Sequence, residues 1–176
     1  MSDPTADPDQ HSAATPADGP LSGFRVLDLS SVVSGPMAAV VLADQGADVI
    51  KIEPPGWGDG IRGLGASRNG LSAIYAMINR NKRSIAINLK HAEGQALVRQ
   101  LAADADVLLQ NYRPGKMARL GLDYDALKAE CPDLIYASIN GMGEVGPYAE
   151  QKTYDYVIQA LSGILDVQGM TPLAMN

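Results

Sequence analysis

An open parallel α/β sheet is the fold class that this 176-residue sequence predicts, on three observations. Residues 21–53 (LSGFRVLDLSSVVSGPMAAVVLADQGADVIKIE) read as strand, loop, helix, strand, and a helical crossover implies a parallel pair. Apolar runs of strand length alternate with helical stretches five times, with no internal repeat. The first run ends in a small-residue loop, at the carboxyl end of a strand, where such sheets place their ligands. A chain of this length with 46% apolar residues suits one domain with a real core.

The elements follow in order. Residues 24–29 (FRVLDL) form the first strand and 30–35 a loop of small residues. Pro36 suits the first helical position, where its missing N–H costs nothing. Good helix formers fill 37–44, and Gly46 stands where a left-handed C-cap residue belongs. Residues 48–53 (DVIKIE) return as the second strand, which puts the first site hypothesis on Val32, Val33 and Ser34. With six glycines, 54–70 is expected to be one long loop. A short helix over 71–79 leads through Arg80, Lys82 and Arg83 into a strand at 84–89. Residues 91–103 have amphipathic helical spacing, with Ala92, Ala96, Leu97 and Leu101 on one face. A strand at 106–110, the loop 111–115 (NYRPG) and a short helix at 116–120 come next. Asp123 is placed to cap a helix over 124–130 that Pro132 ends. A fifth strand at 134–139, a glycine loop at 140–147 and a helix over 154–165 complete the pattern.

Residues 1–20 are rich in Pro, Ala, Asp and Ser and read as a disordered acidic tail, so the folded domain is expected over 21–176. The tail lacks the basic and apolar regions of a signal peptide, and no run approaches a membrane span, so a cytoplasmic protein without membrane contact is expected. Its four acids account for most of the net charge of −6, leaving 16 acids against 14 bases beyond it. A nearly neutral domain argues against a nucleic-acid partner. A single cysteine, Cys131, and two distant histidines, His11 and His91, offer no usual metal-ligand spacing, so no metal is expected.

Two stretches fit the spacing G-x-G-x-x-G: Gly58, Gly60, Gly63 and Gly141, Gly143, Gly146. Neither opens an apolar helix, and the first strand–helix turn holds only Gly35, which disfavours a dinucleotide site despite the Rossmann-like βαβ units. Arg62, Lys82, Arg83, Arg113, Lys116 and Arg119 cluster behind successive strands, where they could hold a ligand with several phosphates. Each is equally suited to a solvated surface. Asp155, at the start of the last helix, could serve the helix dipole alone.

Taken together, LSGFRVLDLS, SGPMAAVVLADQGADVIKIEPPG, GDGIR, NRNKRSIAINLK, ADVLLQNYRPG, RLGLDYDAL, LIYASINGMGEVGP and YDYVIQALSG resemble the family III CoA-transferases, the CaiB/BaiF type. That group includes formyl-CoA transferase, carnitine CoA-transferase and α-methylacyl-CoA racemase, and the likeness covers nearly all of residues 21–163. The resemblance implies a CoA site. Val32, Val33 and Ser34 match the loop lying against CoA; Ile87 matches an adenine contact; Asn111 and Tyr112 match the next loop. Arg119 and Lys152 match basic residues near the phosphates, with Arg62 beside them, and Tyr154 and Asp155 match a pair close to the reaction centre.

It also implies nucleophilic chemistry, in which an Asp carboxylate attacks an acyl-CoA thioester to give a mixed anhydride and CoA thiolate, and an acceptor carboxylic acid is then loaded. Backbone N–H groups of glycine loops would hold the oxyanion. By this resemblance the nucleophilic Asp, a second domain and an interlocked homodimer belong to a longer protein. The 176 residues are then its N-terminal, CoA-binding part, inactive alone. Racemases of the family carry a His where Tyr154 stands, and a phenol with pKa about 10 exchanges protons poorly at neutral pH. Transfer is thus preferred to racemisation, with a non-catalytic CoA-binding or dimerisation fragment as the alternative from another class.

Overall fold

The computed structural model describes residues 18–169. The expected tail falls mainly on residues 1–17, and the expected domain end on 170–176; both lie outside the described residues. Packing begins slightly before Leu21. Its amide donates to the Gln45 carbonyl at 3.0 Å, and a Cβ on Gly19 would stand 2.2 Å from that oxygen.

The opening unit is β1 (Arg25–Asp28), α1 (Ser34–Asp44) and β2 (Asp48–Glu53). The helix starts two residues earlier than expected, with Val33 at the N-cap and the Met37 N–H on the Val33 carbonyl at 2.8 Å. Pro36 is therefore its third residue, still among the positions whose N–H has no partner within the helix. The end follows expectation. Gly46 has φ +99°, its N–H meets the Ala43 carbonyl at 3.0 Å, and Ala47 N–H meets that of Leu42 at 3.1 Å, a Schellman stop.

Residues 54–70 are more ordered than their glycines suggest. Asp59 caps a 3₁₀ turn, Gly60–Gly63, by accepting the Ile61 N–H, and Ile61 is buried against Tyr75 and Ile78. A small hairpin joins β3 (Ser67–Arg68) to β4 (Leu71–Ser72). Asn69 and Gly70, both at positive φ, form its two-residue turn, and that Asn-Gly pair is the signal the glycine count obscured. Helix α2 (Ala73–Asn79) is correspondingly shorter, capped by Ser72, whose Oγ accepts the Tyr75 N–H at 3.2 Å.

The remaining elements are β5 (Lys82–Ala86), α3 (Ala92–Ala103), β6 (Val107–Gln110), α4 (Lys116–Arg119), α5 (Tyr124–Glu130), β7 (Ile135–Ser138), α6 (Asp155–Leu161) and α7 (Ile164–Val167). Asp123 occupies the N-cap of α5 but makes no side-chain capping bond. The single helix expected over 154–165 is broken after Leu161, where Gly163 takes φ +78° and caps α7. Strand β5 begins within the basic cluster, so Lys82 and Arg83 are strand residues, and Ile87 lies just beyond its end.

Five strands form one sheet in the order β5-β2-β1-β6-β7, with every pair parallel. The chain thus winds outward from β1 to one edge, then returns to β1 and winds to the other. Both faces of the centre are covered. Leu27, Ile50 and Leu108 pack with Val98, Ala102 and Leu127, while Val26, Val49 and Leu109 pack against Ala39 and Ala43 of α1.

Helix α3 turns a different face inward from the one expected. Val98 and Ala102 are buried, and Leu101 of the expected face packs against the core, whereas Ala92, Ala96 and Leu97 are exposed. Gly94 decides the rotation: its Cα faces the Asn88 carbonyl, and a Cβ there would come within 2.2 Å of that oxygen. Val98 and Ala102 lie four and eight residues on, along the same stripe.

Candidate functional site

The strand order reverses between β1 and β6, and the loops leaving their carboxyl ends, 29–33 and 111–115, flank that switch point. Asn111 stitches them together. Its Oδ1 accepts the Ser31 N–H at 2.9 Å, and its Nδ2 donates to the Ser31 carbonyl at 2.8 Å and to Ser34 Oγ at 3.4 Å. The sequence-predicted residues Val32, Val33, Ser34, Asn111 and Tyr112 are thereby brought into one region. Val32 and Val33 stand 53% and 46% exposed at the loop crest, unusual for branched apolar side chains. Tyr112 is half-buried against the core, its N–H on Gln110 Oε1 at 2.7 Å; burial, then the Asp59 charge, push its phenol up. Beside it, at the ends of β6 and β7, opens a cavity of about 420 Å³ bounded by Gln110, Arg113, Met117, Tyr124, Ser138 and Glu144. Tyr136 lines it as well, its phenol pushed up by burial and then by Asp123 and Glu144.

Beneath the first loop lies a charged layer. Asp28 and Lys51 are register partners on β1 and β2, side chains on the α1 face. Lys51 Nζ lies 3.1 Å from Asp59 Oδ2 and 3.9 Å from Asp28 Oδ2, and donates to the Ser30 carbonyl at 2.9 Å. Lys82 Nζ donates to Asp28 Oδ2 at 2.8 Å, to the Pro36 carbonyl at 2.8 Å and to Asn79 Oδ1 at 3.0 Å. Burial pulls the Lys82 ammonium down, against the lifting effect of Asp28. The side chains of all four charges are 1% exposed or less. A signal for this layer existed in DVIKIE: a lysine inside a strand expected to be covered on both faces must find a buried partner.

Several of the basic residues have partners within the protein. Lys82 serves Asp28 inside the protein, and Arg83 reaches Asp48. Arg62 forks onto Glu53 and lies 3.8 Å over the Tyr75 ring. Arg113 lies in the second switch-point loop and Lys116 and Arg119 in the helix after it, with Arg113 and Arg119 exposed. Ile87 is 4% exposed within the main core. Lys152, Tyr154 and Asp155 are exposed around the start of α6, where Gln159 of the same helix holds Asp155. No hydrogen bond among the described residues ties these three to the switch-point loops.

Glu53 carries a pH dependence. Burial pushes its carboxyl up, but hydrogen bonds from Arg62, Ser84 and the Asp59 N–H outweigh this and bring it from 4.5 down to about 2. Tyr75 beside it is pushed up to about 12 by burial and then by the Glu53 charge. A carboxyl depressed on folding stabilises the protein fully above its unfolded value, and the benefit disappears as pH falls through the folded one. Urea midpoints should therefore drop between pH 4.5 and about 2, and Glu53→Gln should remove a component on the order of 3 kcal/mol from that drop. Parallel curves for the two proteins would contradict this.

Among the described residues no group of three or more His, Cys, Asp or Glu is arranged to hold a metal ion, and no helix is long and apolar enough to cross a membrane.

The chain is 46% identical over 157 residues to a succinate–glutarate CoA-transferase of Agrobacterium fabrum, covering 85% of this chain and 39% of that protein. It is 45% identical over 157 residues to an acetyl-CoA:oxalate CoA-transferase of Acetobacter aceti, covering 88% and 40% respectively. A crystal structure of a CaiB/BaiF family protein from Brucella suis superposes with a TM-score of 0.81 at 44% identity, covering 85% of this chain and 41% of that one. The chain thus spans about two-fifths of the length of these relatives. The model of the family described as CoA-transferase family III matches residues 21–175, and the chain belongs to that family.

Proposed function

We propose that this chain is the CoA-binding part of an enzyme that moves CoA between an acyl-CoA thioester and a free carboxylic acid. The observation that carries the reading is the Asn111 stitch, which ties the valine-crested loop after β1 to the loop after β6 at the sheet's switch point. Val32, Val33, Ser34, Asn111 and Tyr112 would line the CoA chain. The exposed Arg119 and Lys152 would meet its phosphates, with Arg62 at the edge of its ion pair with Glu53 and Ile87 packing from beneath the adenine.

An Asp carboxylate would attack the thioester carbonyl, breaking the C–S bond to give a mixed anhydride and CoA thiolate, which splits one hard step into two. Because the chain spans about two-fifths of its relatives, we place that Asp in sequence outside these residues, with Tyr154 and Asp155 as auxiliary groups near it. The fragment alone would then be inactive, and the whole enzyme a cytoplasmic interlocked homodimer. The names of the two relatives carry succinate, glutarate and oxalate, which suggests a dicarboxylic acid as one partner.

The test is acyl exchange by the full-length protein. Succinyl-CoA with isotopically labelled glutarate should yield labelled glutaryl-CoA. Solvent deuterium entering an α-carbon without exchange would mean racemisation instead, and CoA binding with neither reaction would leave a binding module.

A further inference from the structure

Val32 has φ +67°, a left-handed conformation in which a β-branched residue is a true outlier. The other described non-glycine residues at positive φ are Asn69 and Asn81, of a type that tolerates it. A strained valine persists only where its surroundings over-determine it. Here the Val32 N–H points between both carboxylate oxygens of Asp59, at 3.1 and 3.2 Å. Asp59 is fixed in turn, by Lys51 at 3.1 Å and through its own N–H on Glu53 Oε1 at 3.0 Å. The second bond of Lys51 goes to the Ser30 carbonyl, two residues before Val32. One buried ion pair thus grips the loop by a carbonyl on one side and an amide on the other.

We propose that Lys51 and Asp59 are positioning residues that lock Val32 in its left-handed conformation and so set the shape of the loop that receives CoA. This rests on the CoA reading above. The pair acts through Val32, not by touching ligand. Its burial keeps both groups from water, and the sequence separation of 27 between Val32 and Asp59 makes the lock a tertiary feature, not a property of the loop.

The test uses the full-length protein with Lys51→Met and Asp59→Ala together, so that neither charge is left buried alone. Amide exchange at Val32 should accelerate about tenfold or more, as expected of a released loop. The CoA dissociation constant should rise about tenfold. When Val32→Gly is added to both proteins the difference should fall below about threefold, because glycine takes positive φ without strain. Unchanged exchange over residues 30–34 would overturn the proposal, and so would an equal affinity loss in the valine and glycine backgrounds. Should that double variant fail to fold, Lys51→Met with Asp59→Leu gives the same exchange readout, since it keeps close to the side-chain size and leaves no acceptor for the Val32 N–H. If the unmodified protein shows no affinity for CoA, the functional reading falls on that result, and Val32 exchange still decides the lock.

Discussion

Replacing Asp28 with Ala is expected to lower the stability of the full-length protein by about 3–5 kcal/mol, the usual cost of leaving a buried charge uncompensated. Asp28 is 0% exposed in the central strand. It accepts from Lys82 at 2.8 Å, from the Ser30 N–H at 3.0 Å and from the Ser30 hydroxyl, with Lys51 at 3.9 Å. Without it, two buried ammonium groups share the single carboxylate of Asp59. Burial already pulls Lys82 down, so the variant should relieve itself by shedding that proton. A base depressed on folding makes stability rise with pH, and the loss should shrink as pH climbs toward the ordinary lysine range. Urea midpoints at several pH values measure both effects. Asp28→Leu with Lys82→Met should recover much of the loss by removing the charges together. A deficit below about 1 kcal/mol for Asp28→Ala would mean that water reaches this layer in solution.

Gly35→Ala should weaken CoA binding about 10- to 100-fold, the equivalent of an overpacking strain of about 1–3 kcal/mol falling on the loop. A Cβ on Gly35 would stand 2.1 Å from Ser30 Cβ and 2.3 Å from its Oγ. Ser30 has little freedom to yield, since Asp28 holds its N–H and its hydroxyl. The loop must give way instead, carrying Val32 and Val33 with it. Ser30→Gly removes both offending atoms and should restore most of the affinity lost to Gly35→Ala. Calorimetric titration with CoA reads the effect. An affinity within twofold of the unmodified protein would show that ligand does not depend on this loop.

Much of the fold was legible because its strands are separated by strong punctuation. Pro36, Gly46 and Pro132 mark helix starts and stops, and strand-length apolar runs lie between them. The two switch-point loops were readable for the same reason, since both lie at the ends of clear strands. Contacts across the sheet were less accessible. Lys82 looked like a free cation after a helix, yet a salt bridge to a residue 54 positions away buries it. The pairing of Arg62 with Glu53 and Tyr75 likewise has no local signature in GDGIR. The rotation of α3 depended on the contact of Gly94 with Asn88, which helical periodicity alone does not encode.

The buried quartet Asp28, Lys51, Asp59 and Lys82 pairs two positive with two negative groups, all shielded from solvent. Mobile ions screen exposed charges within about 8–10 Å at physiological ionic strength but scarcely reach a dry, neutral cluster. The shape of the loop above it should therefore be indifferent to ionic strength. Attraction between a polyanionic ligand and the exposed Arg119 or Lys152 would fade as salt is added. A scaffold blind to the surrounding electrolyte would thus stand under a ligand contact that responds to it.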